Sequence, residues 1–405
     1  MPFDANEGYF LIIVAAAALA AITVVLLPKK YAPPVVVVEL LLGIVVGPQV
    51  LDVVHADDFV KFMSNLGLGM LFFFAGYEIQ FGRIKGRPLT LALIGWIISL
   101  ALAFGIGGVL ASAGIVLSLL YTGSALATTA IGTLIPIMRD SGEMPTRFGT
   151  FLLAAGGIGE FGPILLITLV LSTTHPALEA LILALFVVIA VVIAVASMRI
   201  SGHGWSAIER TLDSSSQLGV RIAVLLVFGL VFMASSLGLD ILLGGFLAGM
   251  VTRMSLRGRE VAEFDSKLIA VGFGLLIPFF FVTSGITFDL DSLFTGPGPL
   301  LKMFLFLGLF LIVRGTPAML LYRGEMASRD RLALAFFSST QLPLVVAITT
   351  LAVGDGKMLH STAAALVGAA ILSTLIFPFV GMALRRGRQA ADFSPEAAAT
   401  EPVPI

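Results

Sequence analysis

The sequence predicts an all-α polytopic membrane protein with about 13 transmembrane helices, and three observations carry that reading. First, hydrophobic residues make up 58% of the 405-residue chain and charged residues only 12%, with a mean hydropathy of +1.05. Soluble domains carry about 25% charged residues. Second, windows of about 19 residues mark a succession of apolar segments. They lie near 8–27, 34–50, 60–78, 89–111, 115–137, 148–172, 177–198, 219–236, 238–252, 267–287, 300–322, 332–353 and 359–383. Third, basic residues gather in alternate loops. The 43 glycines suit close helix packing in lipid, and the absence of cysteine excludes disulfides, thiolate metal sites and thiol redox control.

Segment 1 has an acidic flank (Asp4, Glu7) and no small-residue cleavage site before Pro28-Lys29-Lys30, so it reads as a spanning helix rather than a signal peptide. Loops after odd-numbered segments hold Lys29 and Lys30; Arg83, Lys85 and Arg87; Arg139 and Arg147; Arg199 and Arg210; Arg253, Arg257 and Arg259; Arg323, Arg329 and Arg331. Loops after even-numbered segments carry Asp52, Asp57, Asp58, Asp289 and Asp291 instead, with Lys357 the clear exception. The positive-inside rule then places the N-terminus outside and the C-terminus in the cytoplasm of a cell (plasma) membrane protein.

The chain also repeats itself. Glu39-Leu40-Leu41-Leu42-Gly43 in segment 2 resembles Asp240-Ile241-Leu242-Leu243-Gly244 in segment 9. Phe72-Phe73-Phe74, followed by Ile79-Gln80-Phe81, resembles Phe279-Phe280-Phe281, followed by Ile286-Thr287-Phe288. An offset of seven segments reverses orientation, so this is either the inverted repeat of a secondary transporter or chance likeness between apolar strings. Under the repeat, segment 5 corresponds to segment 12, and both are interrupted. One carries Thr122-Gly123-Ser124-Ala125-Leu126-Ala127-Thr128-Thr129, the other Ser338-Ser339-Thr340-Gln341-Leu342-Pro343. Such runs mark unwound helices whose freed carbonyls coordinate ions, or else ordinary Ser/Thr packing between helices.

Segment 6 contains Gly156-Gly157-Ile158-Gly159-Glu160-Phe161-Gly162-Pro163, and Glu160 is its only ionisable residue. A carboxylate at that depth costs a few kcal/mol and marks an ion or proton path. Residues 157–162 also match G-x-G-x-x-G, but no strand precedes them, so this is not a nucleotide site. Pro163 predicts a local bend. Arg314 lies in the middle of segment 11 and needs a carboxylate or several carbonyl dipoles beside it. Glu160, Glu39 and the carbonyls of segments 5 and 12 are the candidate partners, and Arg314 either ties helices together or takes part in turnover. A proton or a monovalent cation can neutralise Glu160 in turn, which gives obligatory exchange. Hydroxyls and carbonyls of Thr128, Thr129, Ser124 and Gln341 would replace the hydration shell of that cation. No nucleophile–base pair or metal constellation occurs in the loops, so no enzyme, cofactor or nucleic-acid partner is implied. The four histidines fall in loops or at segment ends and carry no assigned chemistry.

Glu39 to Pro48 (E-x-x-x-G-x-x-x-G-P), Phe74 to Phe81, Ala125 to Ile131 (A-L-A-T-T-A-I), Glu160, Phe281 to Phe288 and Arg314 together resemble the monovalent cation:proton antiporters, in the branch of bacterial potassium-efflux and sodium/proton antiporters. The resemblance implies a sodium/proton-antiporter-like fold with inverted repeats. Core helices 4–6 (79–173) and 11–13 (299–388) would contain segments 5 and 12 as two crossing broken helices. Helices 1–3 (1–78) and 8–10 (218–298) would form the dimerisation side, helix 7 and its loop (174–217) the linker, and 389–405 a disordered tail. The essential acid falls on Glu160 and the cationic residue on Arg314.

There are three departures. Glu160 stands where the family usually has Asp, and Gly159 where it commonly has Asp, Asn or Gln. Many potassium-efflux members carry a cytoplasmic nucleotide-binding regulatory domain, whereas here only Gln389 to Ile405 follow the last helix. Gating by such a domain within this chain is not expected, and a separate regulatory subunit is the possibility left open. The implied activity is alternating-access exchange of Na+ or K+ for protons by a homodimer, electroneutral because the site has one acid. The alternatives are a sodium-coupled organic-anion symporter of similar fold, an ion channel or a non-transporting membrane subunit.

Overall fold

The structure is a computed structural model, which describes residues 5–27, 33–78, 84–170, 181–193, 195–196, 211, 214, 216–239, 241–256 and 262–386. Lys29, Lys30, Ile79-Gln80-Phe81, Arg83, Arg199, Arg210, Asp240, Arg257, Arg259 and the tail 389–405 lie outside the described residues.

Among the described residues every regular element is helical. Nine helices among the described residues are long and apolar enough to cross a membrane by length and composition, and four shorter apolar helices fall at Val35–Val46, Leu119–Ile135, Leu181–Ile193 and Ile241–Ser255. Each overlaps one of the apolar segments marked in the sequence. This is a multi-pass membrane protein. In a medium without water, only backbone that satisfies itself can span, and helices do so segment by segment.

The chain divides into two compact units. One comprises Met1–Gln80 and Ile164–Thr287. Its principal helices are α1 (Ala5–Leu26), α2 (Val35–Val46) and α3 (Asp58–Tyr77), then α8 (Leu181–Ile193), α9 (Leu218–Ser236), α10 (Ile241–Ser255) and α11 (Ala262–Ile286). Asp57 caps α3 by accepting from Val60 N at 2.8 Å. Glycines bring backbones together in two pairs. Between α2 and α11, a Cβ on Gly43 would lie 2.1 Å from Val282 O, and one on Gly285 2.1 Å from Leu40 O. Between α3 and α10, a Cβ on Gly76 would lie 2.0 Å from Phe246 O, and one on Gly249 2.0 Å from Phe73 O. The seven-segment offset maps each pair onto the other, as the inverted repeat requires. A π turn at Gly272–Leu276 interrupts α11 just before Pro278. The sequence reading did not foresee it; a proline cannot donate to the preceding turn, and a widened turn accommodates that.

The other unit comprises Phe81–Pro163 and Phe288–Ile405. It contains α4 (Arg87–Ser112), α5 (Leu119–Leu126), α6 (Ile131–Asp140) and the first part of α7 (Arg147–Val170). Beyond residue 288 it contains α12 (Leu290–Leu293), α13 (Pro297–Leu321), α14 (Ser328–Ser338), α15 (Pro343–Gly354) and α16 (His360–Arg385). Segments 5 and 12 are therefore each two half-helices. A buried ion cluster ties three elements of this unit: Arg385 donates twice to Glu143, at 3.0 Å each, and to Asp330 at 3.0 Å.

Candidate functional site

The two interruptions meet. α5 ends at Leu126 and α6 begins at Ile131, while α14 ends at Ser338 and Pro343 opens α15, a position where its missing N–H costs nothing. Across the gap Ala130 N donates to Thr340 O at 2.8 Å, and Thr128 Oγ1 donates to Gln341 Oε1 at 2.9 Å. Gln341 Nε2 returns a bond to Leu126 O at 3.3 Å, and Thr129 Oγ1 donates to Ser338 O. Gln341 is itself anchored by α16, since its N donates to Ser373 Oγ (3.0 Å) and its O accepts from Thr374 Oγ1 (3.2 Å). Backbone groups freed by ending a helix in lipid must find partners, and here each break supplies the other.

α7 carries the acid. Glu160 is fully buried, and its Oε2 accepts from Gly132 N, in the first turn of α6, at 3.3 Å. The positive end of a half-helix favours a carboxylate. Oε1 is buried with no hydrogen-bond partner. It therefore offers an unused acceptor beside the uncoiled backbone.

The glycines of the same stretch form a row. A Cβ on Gly156 would lie 2.5 Å from Ile131 Cδ1, and one on Gly162 2.6 Å from Trp96 Cε2. One on Gly159 would lie 2.3 Å from Arg314 Nη2 and 2.7 Å from Thr129 Oγ1. These three glycines form the groove that seats the start of α6, a guanidinium and an indole. α7 runs on through Pro163. Pro163 cannot bond the carbonyl of Gly159, and that carbonyl accepts from Thr129 N at 3.0 Å instead. Pro317 likewise releases Val313 O on α13, which accepts from Ser99 Oγ at 2.9 Å.

Arg314 is buried among neutral groups. Its Nε donates to Thr129 Oγ1 (2.9 Å) and more weakly to Ser338 O (3.4 Å), Nη1 to Ser99 Oγ (3.2 Å), and Nη2 to Ala155 O (3.0 Å). Carbonyls and hydroxyls supply its partners, and neither Glu160 nor Glu39 is among them. Glu39 is buried on α2, in the other unit. Ser124 is buried on α5, where its carbonyl accepts from Ala127 N (3.2 Å), and no hydrogen bond joins it to Glu160 or Gln341.

Sequence reasoning missed Ser99, Ala155, Gly132, Ser373 and Thr374. Ser99 is a polar residue in an apolar segment, a signal that could have found it, whereas a backbone donor such as Gly132 N leaves none. Among the described residues no group of three or more His, Asp or Glu could hold a metal.

The fold and the crossing define a class: polytopic inverted-repeat membrane proteins whose two interrupted helices meet beside a buried carboxylate. The family described as "sodium/hydrogen exchanger, transmembrane" matches residues 14–383, and the chain belongs to it. Its fold is that of the sodium proton antiporter MjNhaP1 from Methanocaldococcus jannaschii, with a TM-score of 0.63 at 16% identity over 96% of this chain and 98% of that one. It is 28% identical to YjbQ of Bacillus subtilis over 84% of this chain and 56% of that protein. It is 27% identical to the Na+/H+-K+ antiporter GerN of Bacillus cereus over 62% of this chain and 65% of GerN. The chain thus spans about half to two thirds of the length of these relatives.

Proposed function

We propose that this protein exchanges a monovalent cation, Na+ or K+, for protons by alternating access, with Glu160 as the site both guests share. The observation that carries the reading is the state of that carboxylate. One oxygen is held at the end of α6 and the other has no partner, in a fully buried position beside two interrupted helices. A bare charge there is costly, so the carboxylate crosses loaded with either a proton or a cation. Carbonyls and hydroxyls at the crossing, among them those of Thr128, Thr129 and Gln341, suit a hard monovalent cation. Family membership supports exchange, and GerN's name covers both cations.

In this reading the unit that contains the crossing is the transporting core, and the unit packed through glycines is the dimerisation side. The protein acts as a homodimer in the cell membrane with its N-terminus outside. With one acid at the site and Arg314 paired to neutral groups, exchange is one-for-one and electroneutral. An extra charge per cycle would couple to the membrane potential by about 2.3 kcal/mol per 100 mV.

Reconstitution into proteoliposomes tests both parts. Glu160→Gln removes the charge at similar volume, so it should abolish cation-dependent proton movement while the protein still inserts. Retained exchange would transfer the role to another acid, with Glu39 first in line. In the wild type, a rate or reversal point that follows an imposed potential would reject electroneutrality.

A further inference from the structure

Beside Arg314 lies a small cavity within the same unit, lined by Trp96, Arg314, Tyr322 and Ser338 together with small apolar side chains such as Ala92 and Ala318. The space open to the centre of a water-sized guest is about 10 Å³, so the pocket takes a single small guest at most. Two of its lining residues carry a buried polar atom with no hydrogen-bond partner, Trp96 Nε1 and Ser338 Oγ. A guanidinium has five N–H groups, and Arg314 directs one from each nitrogen at Thr129, Ser99 and Ala155, which leaves two.

Those spare groups share one chemistry. The indole N–H and the guanidinium N–H groups can only donate, and the hydroxyls of Ser338 and Tyr322 can also donate. No carboxylate lines the cavity, and the hydrogen-bond partners of Arg314 are all neutral. A buried cation in such a setting lacks a counter-charge.

We propose that this cavity binds a small monovalent anion of halide size, held by Trp96 Nε1–H, Ser338 Oγ–H and the free N–H groups of Arg314. The anion supplies the counter-charge that the protein does not, whichever guest Glu160 carries. The site does not depend on the exchange reading.

Chloride NMR line broadening on the full chain in detergent reads binding without transport, so failure of this site and failure of exchange stay distinguishable. The wild type should give saturable broadening that bromide displaces. Trp96→Phe keeps an aromatic ring against Gly162 but removes the donor, and Ser338→Ala removes the hydroxyl. Each should weaken binding about tenfold or more, as loss of a hydrogen bond to a charged guest does. No saturable broadening in the wild type, or equal broadening in all three proteins, would overturn the site. Should either variant fail to fold, bromide anomalous scattering from wild-type crystals decides. A peak within hydrogen-bond reach of Trp96 and Arg314 supports the proposal, and well-ordered side chains without one reject it.

Discussion

The two units solve the problem of packing helices in lipid by different means. In the unit of Met1–Gln80 and Ile164–Thr287, backbone lies against backbone: the spaces beside Gly43, Gly76, Gly249 and Gly285 are filled by carbonyls of the neighbouring helix. In the unit of Phe81–Pro163 and Phe288–Ile405, the spaces beside Gly156, Gly159 and Gly162 are filled by side chains, and buried polar groups hold the elements together. Lipid offers no hydrophobic drive for helices to associate, so small residues and close contact are the inexpensive route. Buried polar groups are the costly one, retained where a site requires them. The difference teaches where function is to be sought: in the unit that keeps the expensive solution.

Substitutions can break or sharpen that contrast. The largest stability effect is expected from Arg385→Ala in the polar unit, which strips Glu143 and Asp330 of their shared cation and removes the guanidinium stacked 4.4 Å from the Phe148 ring centre. Breaking a buried ion pair from one side costs about 3–5 kcal/mol. Thermal unfolding in detergent should show it, and an unchanged midpoint would mean the cluster is solvated rather than structural.

Next comes Gly249→Ala in the glycine-packed unit. Its Cβ would meet Phe73 O at 2.0 Å and Tyr77 N at 2.6 Å, both main-chain atoms that cannot step aside. A loss near the upper end of overpacking costs, about 3 kcal/mol, is expected from the same measurement. Gly159→Ala should cost less stability, about 1 kcal/mol, because the atom it strikes is the far end of a flexible side chain. Its effect should appear in transport instead. Displacing Arg314 and Thr129 by about 1 Å beside Glu160 should slow exchange by up to about a hundredfold. A Gly159→Ala protein with full exchange would show that the guanidinium seat is not needed.

The smallest effect belongs to Glu325, outside the spanning helices, where Arg87 and Arg147 donate to its two oxygens at 2.7 and 2.6 Å. The bond from Arg87, with Arg147 assisting, holds the carboxyl below its ordinary 4.5. A depressed acid stabilises the fold above its unfolded value and loses that contribution as pH falls through the folded one. Both arginines are exposed, so the pair is worth only about 0.2–1 kcal/mol. The stability gap between wild type and Glu325→Gln should therefore be small at neutral pH and close in acid. A gap that widens in acid would contradict the pairing.

The sequence by itself determined the helical membrane fold, the positions of the spans and the two places where helices break. The bilayer imposes apolar runs of fixed length, and Gly, Pro and hydroxyl residues within such runs cannot be hidden. It also singled out Glu160 and Arg314, because a charge in an apolar segment is conspicuous wherever it points. Tertiary structure alone decided what each of them meets. Arg314 draws its partners from α4, α7 and both breaks, hundreds of residues apart in part, and finds dipoles where a carboxylate was an equal candidate. The prolines announced missing donors, but only the folded chain shows that Thr129 N and Ser99 Oγ answer the carbonyls they release. Local chemistry states which groups need a partner; the partner is whatever the packing of distant helices brings within about 3 Å.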